Sequence, residues 1–391
     1  MLRKARDCLI DLHSTALQVS SGAAIRRFCG ALSSITVLLS AASPSIAKGT
    51  LHPLFAAYVR EMPKIESLKC ELSVSRQEIV PFRREDLLTW PSLSPSQQYS
   101  GPTAAQFQRD YIDIIPEAWI AISLSLNEDC NELYITLYRQ GQSPFILRLP
   151  MARHKSRDMD EDVFDFQEGK SELREIIELS NFSTHDARDL SIKGAKTEWW
   201  AEREALDARL HDLLVNIENI WLGGFRGALS QQVRQPDLLA RFQKSFQKIL
   251  NRYLPSRQGK GMPKQLNFDP RVLELFTGLG DPHDESVELD EHLTDLLYFI
   301  VDVLQFNGER NAYDEIDFDS LVVETLDALK VYHSSVQAIP TAAQHTILIL
   351  DKNLHAFPWE SLPCLTGLSV SRLPSMEALR TRILAARNTQ P

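Results

Sequence analysis

The sequence predicts a multi-domain α/β protein with a helical lead-in, and three observations carry that reading. Three short segments between residues 118 and 150 alternate apolar with small or polar residues at a period of two, and "TILIL" at 346–350 is a continuous apolar run. Around them, apolar residues recur at three- and four-residue steps. With 391 residues, 43% of them hydrophobic, the chain can bury two or three cores.

The lead-in comes first. Leu9, Leu12, Leu17 and Val19 fall near one face, then Leu32, Ile35, Val37, Leu38 and Leu39, then Leu54, Phe55 and Tyr58, so residues 1–88 are expected to be helices resembling the end of a solenoid-like array. Within them, "RRFCGALSSITVLLSAASPSIAKG" (26–49) has the order of a secretory signal, but 25 residues including Asp7 and Asp11 precede it. Its apolar stretch also falls short of the ~20 residues that span a bilayer. A buried helix is expected there, and no membrane partner. The Pro-, Ser- and Gln-rich "TWPSLSPSQQYSGPT" marks a linker over 89–105, with a new domain from residue 106.

That domain opens on strands. In "AWIAISLSL", Ile120, Ile122, Leu124 and Leu126 alternate with Ala121, Ser123 and Ser125, as in a half-buried strand. "NELYITLYR" and "PFILRLP" repeat the period, with turn chemistry in "NEDC" and "QGQS" between them. Helices follow, the clearest being "EREALDARLHDLLVNIENIWL", which Gly223 and Gly224 should stop with at least one positive φ. "LTDLLYFIVDVLQF" is apolar on most sides and reads as an interior helix, and "DFDSLVVETLDAL" as an amphipathic one. After the break at Pro340, strand 346–350, a loop and a helix from about Ser375 read as the opening unit of an α/β domain over 341–391. The strand is expected to have lost the neighbours that would cover it.

A formal net charge of -10 gives no basic field for a nucleic-acid backbone or anionic membrane. Cys8, Cys29, Cys70, Cys130 and Cys364 are scattered, without a CxxC pair or metal-ligand spacing to histidine, which suits reduced thiols in cytosol or nucleus. Cys364 and His355 lie close together in one turn-rich segment and invite a thiol-hydrolase reading. Cys364 stands between Pro363 and Leu365 without a glycine-rich nest, so a buried, inert thiol is expected instead. "DEIDFDSLVVE" (314–324) lacks the glycine of a calcium loop and reads as the capped acidic start of a helix. His283 and His292 lack companion ligands for zinc. No cofactor is expected.

Four segments then go beyond this bottom-up reading: "QSPFILRLPMARHKSRD", "GAKTEWWAEREALDARL", "ENIWLGGFRG" and "TILILDKNLHAFPWESLPCLTGLSVSRLPSMEALR". Together they resemble the carboxy-terminal region of separases, most closely those of filamentous fungi, from about Phe107 onward. The resemblance implies an inactive caspase-like (pseudo-protease) subdomain with helical insertions over 106–340, then the first strand, loop and helix of an active caspase-like subdomain. It implies a cysteine endopeptidase that cuts the cohesin kleisin subunit after an arginine in an acidic context, releasing sister chromatids at anaphase. A securin-like inhibitory chaperone is the implied partner, and cytoplasm, nucleus and mitotic spindle the implied locations. Gly223, Gly224, Pro358, Trp359 and Glu360 match the family's signature as structural residues. Its catalytic histidine in a Gly-His-Gly turn and cysteine in a Gly-Cys-Ser context have no counterpart here, so no catalytic residue carries over, and the chain is expected to be an inactive fragment truncated before them. The alternative is a non-catalytic pseudo-protease module that holds a securin-like partner.

Overall fold

The structure is a computed structural model that describes residues 1–19, 22–41, 52–79, 103–153, 164–185, 194–232, 234–258, 268–284, 288–336 and 344–389. Nearly all of the expected linker lies outside the described residues. Packing divides the chain into two compact units. The first comprises Met1–Arg148, His345–Ala356 and Val370–Pro391; the second comprises Leu149–Gln344 and Phe357–Ser369.

The first unit begins with α1 (Leu2–Val19), α2 (Gly22–Ala41), α3 (Pro53–Ile79) and the short α4 (Ala104–Phe107), which runs on as a wider turn through Ile112. Its strands are β1 (Trp119–Leu126), β2 (Glu132–Tyr138), β3 (Phe145–Pro150, which ends in the second unit), β4 (His345–Leu350) and β5 (Val370–Leu373). They form one mixed sheet in the order β3-β2-β1-β4-β5. β1 and β2 are antiparallel, with Leu124 opposite Ile135. The hairpin closes where Asn127 Oδ1 accepts the N–H groups of Asn131 and Glu132 at 2.9 and 3.0 Å, and Cys130 takes a φ of 56°.

β4 lies parallel to β1, from Trp119 beside His345 to Leu124 beside Leu350, and its other edge pairs in parallel with β5. The expectation that 346–350 lacks covering neighbours is therefore not met. It occupies an interior place in the sheet already opened by β1, and Thr346 through Leu350 are all buried. A continuous apolar run signals burial on both faces, which holds, but says nothing about which strand lies alongside.

β1 departs from its half-buried reading as well, since Ala121, Ser123 and Ser125 are as buried as the isoleucines. These small residues leave room for α3, whose Arg60 and Lys64 reach Ser125 and Ser123. The core beneath the helices joins Leu32 of α2, Met62 of α3, Phe107, Ile347, Ile349 and Met376 of α11 (Met376–Thr389). α2, the segment with signal-like order, packs on α3 through Cys29, Leu32, Ser33 and Thr36. Contrary to the expectation of a stretch too short for a bilayer, the whole helix is by length and composition long and apolar enough to cross a membrane.

The second unit holds α5 (Phe166–His185), α6 (Ala195–Asn216), α7 (Pro236–Tyr253), α8 (Pro270–Thr277), α9 (Asp290–Phe306) and α10 (Phe318–Ser335). α6 runs on as a wider turn through Ile217–Leu222 and stops at Gly223, whose φ of 53° is the positive value that a glycine stop requires. A tight helical turn, Gly223–Leu229, then packs between α8 and α9. α9 is the interior helix, with Leu293, Leu296, Leu297, Ile300 and Val301 fully buried. α10 begins where Asp317 accepts the Ser320 N–H at 3.0 Å, so 314–324 is the capped acidic helix start expected of it.

Candidate functional site

Among the described residues, polar chemistry is concentrated at one place in each unit. In the second unit the segment after β4 docks through aromatic rings. Phe357 and Trp359 are about 1% exposed; Trp221 meets them edge-on at 5.3 Å and tilted at 6.4 Å, and Phe166 lies 6.1 Å from Phe357. Pro358 precedes a single turn, Trp359–Ser361, in which Glu360 is half-buried. Rings offset or edge-on in this way add to what their burial alone contributes.

Two charged clips brace that cluster. Glu218, 4% exposed, accepts the Cys364 N–H at 2.7 Å and pairs with Arg226 at 2.8 Å. Asp295, 1% exposed, accepts from Arg153 Nε at 3.1 Å and from the Gly224 N–H at 3.1 Å, while Arg153 Nη1 donates to the Trp221 carbonyl at 3.1 Å. A Cβ on Gly223 would overlap the Asp295 carboxylate, and one on Gly224 would overlap the His292 carbonyl. Glycine at both positions is thus demanded by close approach, and at Gly223 by its positive φ too. Gly223, Gly224 and Trp359 all lie in this one scaffold.

None of it is poised for thiol chemistry. Burial first, and the Glu218 carboxylate second, push the Cys364 thiol well above its usual range, so it stays protonated and unreactive. His355, the histidine nearest to it in sequence, belongs to the other unit. Burial, reinforced by the Arg372 guanidinium and opposed by Asp351, lowers its pKa. Cys29 is buried in the first unit's core, which pushes its thiol up to about 12. Among the described residues no group of three or more His, Cys, Asp and Glu side chains is arranged to hold a metal ion.

In the first unit a cleft of about 730 Å³ opens over the carboxyl ends of β1 and β4. Parallel strands in α/β sheets commonly bind ligands at that end. Residues of α2 and α3 line it, and Arg60, Lys64, Ser125 and Asp351 are among its lining side chains. Arg60 donates to the hydroxyls of Ser33, Ser125 and Ser34 at 3.1, 3.3 and 3.4 Å and lies 3.6 Å above the Tyr134 ring. Burial lowers its pKa, against the pull of Tyr134 and Glu61. Lys64 bridges Glu61 at 2.9 Å and Ser123 at 2.8 Å. Asp351 accepts the N–H groups of Leu126, Asn353 and Leu354 at 2.7, 2.9 and 3.1 Å, which fixes the turn after β4.

Sequence reading singled out neither Arg60 nor Lys64, because charged residues on a helix are ordinarily assigned to its wet face. A signal was nevertheless present in the serines of β1, which leave a strand face too small and polar to be a plain hydrophobic contact. Glu218 and Trp221 sat inside the quoted "ENIWLGGFRG", and Arg153 inside "QSPFILRLPMARHKSRD", without a role assigned to them.

Comparison with known proteins places this architecture. A family model described as "Separin, protease domain" matches residues 128–391. Separin of Emericella nidulans is 43% identical over 392 residues, an alignment covering 99% of this chain and 19% of the relative. Separin of Schizosaccharomyces pombe is 37% identical over 372 residues, covering 94% of this chain and 20% of the relative. The chain thus spans about a fifth of the length of these two relatives. A crystal structure of the Saccharomyces cerevisiae separase–securin complex superposes with a TM-score of 0.78 at 24% identity, covering 100% of this chain and 25% of that one, which shows the same fold. The caspase-like α/β architecture of separase is therefore the architecture of this chain, and the chain belongs to the separin family.

Proposed function

We propose that this chain is a portion of a separase-type cysteine endopeptidase that cleaves the cohesin kleisin subunit to release sister chromatids at anaphase. The match of its residues 128–391 to the separin protease domain carries the reading. In the same reading a securin-like chaperone is its partner, supported by fold neighbours solved as separase–securin complexes. It acts in cytoplasm and nucleus, on the spindle in mitosis. The chain's own part is scaffolding: it folds the subdomain that supports the protease, and the catalytic histidine and cysteine are supplied by residues other than its own. The absence of any histidine flanked by glycines in the sequence, and the protonated Cys364 thiol, support that division. The test is rapid depletion of the protein that contains this chain, in cells carrying a tagged kleisin. Full-length kleisin persisting past anaphase onset is expected; normal cleavage after depletion overturns the reading.

The lack of a Gly-His-Gly turn or Gly-Cys-Ser segment favours a second reading, a non-catalytic module that holds a securin-like partner. In-frame genomic sequence after Pro391 separates the two. Both motifs downstream support the protease; a transcript-supported stop codon supports the module.

A further inference from the structure

Three well-buried arginine side chains among the described residues each rest on a carboxylate. Arg153 (9% exposed) pairs with Asp295, Arg226 (10%) with Glu218, and Arg257 (3%) with Glu309. Arg60, buried as well, has no carboxylate within ion-pair distance among the described residues; its contacts are three serine hydroxyls and the Tyr134 ring. A guanidinium keeps its charge at any physiological pH, and a buried charge ordinarily requires a counter-charge. Arg60 also differs from those three in lining the first unit's cleft.

The carboxylates that act on it from beyond contact, Glu61 and Glu132, are each paired with another cation, Lys64 and Arg148. Lys64 is held by Glu61, Arg27 at the rim by Glu128, and Asp351 by three backbone N–H groups. We propose that this cleft is a binding site for an oxyanion, a carboxylate or phosphate group, seated on the Arg60 guanidinium. Arg60 has five N–H donors, and the hydroxyls take only some of them, which leaves its fork able to receive an anion. Ser125 Oγ accepts from Arg60 and keeps its own proton for the same anion. The exposed rim carries both signs, Arg26 and Lys352 against Glu71 and Asp129, so the rest of the ligand carries little net charge. The volume fits a small molecule or a few residues of peptide. The inference does not depend on the protease reading.

The test titrates the intact chain with inorganic phosphate and with two short peptides, one carrying a central glutamate and the other glutamine in its place. Thermal shift and the arginine side-chain N–H resonances are the readouts, the Arg60 resonance being assigned through Arg60→Lys. Saturable binding of phosphate or the glutamate peptide, with none of the glutamine peptide, is expected, weakened at least about tenfold by Arg60→Lys. Where that variant fails to fold, Ser125→Ala should weaken binding about two- to tenfold. Binding of phosphate alone assigns a free oxyanion, and of the glutamate peptide alone a peptide carboxylate. No saturable binding at about 10 mM probe, or binding unchanged in the variants that fold, overturns the proposal.

Discussion

The Asp295 carboxylate accepts the Gly224 N–H at 3.1 Å and occupies the space that a Cβ on Gly223 would need. A negatively charged side chain, 1% exposed, is thereby built into a helix stop, with Arg153 closing it from the other side. Removing either partner of such a buried pair strands the other, which is why the stop and the pair stand or fall together.

Substitution at the stop is accordingly expected to be costly. Gly224→Ala drives a methyl into the His292 carbonyl and to 2.7 Å from Leu296 Cγ, and Gly223→Ala adds an unfavourable φ. Each should lower stability by about 1–3 kcal/mol. Denaturant midpoints read this, and an unchanged midpoint for Gly224→Ala would refute the close approach.

Trp359→Ala should cost about 3–5 kcal/mol, the usual range for emptying a buried aromatic site. Because Trp359 faces Trp221, the near-ultraviolet circular dichroism should also change in the folded variant. Retention of wild-type stability would mean that the ring cluster is peripheral.

Thiol reactivity offers a direct check on Cys364. With its thiol held above the usual range, and that of Cys29 pushed up to about 12, the thiolate fraction of both is small at pH 8. Exposed Cys8 should be alkylated first and these two last, read by peptide mass spectrometry after timed iodoacetamide treatment. Early labelling of Cys364 would reopen it as a nucleophile.

Hydrogen exchange tests the place of β4. The amides of Ile347, Leu348 and Ile349 should be among the slowest in the first unit, since the strand is paired on both edges. Fast exchange there would restore the uncovered strand that its sequence position suggested.

Glu132 on β2 supplies a pH dependence. Burial alone would raise its pKa, but hydrogen bonds from Arg148 and Tyr134 more than offset that and leave it lowered. A lowered carboxyl contributes stability that is present above its unfolded value of about 4.3 and is lost as pH falls through the folded value. Glu132→Gln should therefore flatten the stability profile below about pH 4.3. An acid limb of unchanged slope would show the Arg148 contact to be idle.

Local pattern carried much of this fold into view. Alternation placed β1, β2 and β3, the acidic run placed the start of α10, and the paired glycines placed the end of the α6 extension. Partner choice was not legible, because "TILIL" reads the same whichever strand it pairs with. The cleft escaped for a related reason: Arg60 is a charged helix residue whose burial depends on Ser33, Ser125 and Tyr134, which lie 27, 65 and 74 residues away along the chain. Trp359 could be read as an anchor from its size and setting, whereas Trp221 and Glu218, its supports, carry no pattern that points to position 359.

The pairing of Trp119 with His345 spans more than two hundred residues of chain. On the ribosome, β1 emerges long before β4 exists, so its open edge must wait through synthesis of the entire intervening segment. Most of that segment belongs to the second unit, which itself waits for Phe357–Ser369 from beyond β4 to complete its aromatic cluster. The edge of β1 is covered only when residues 345–350 arrive, and that of β4 only when 370–373 follow, so the nascent chain carries an exposed strand edge through most of its synthesis, open to capture by a chaperone or by another copy of itself.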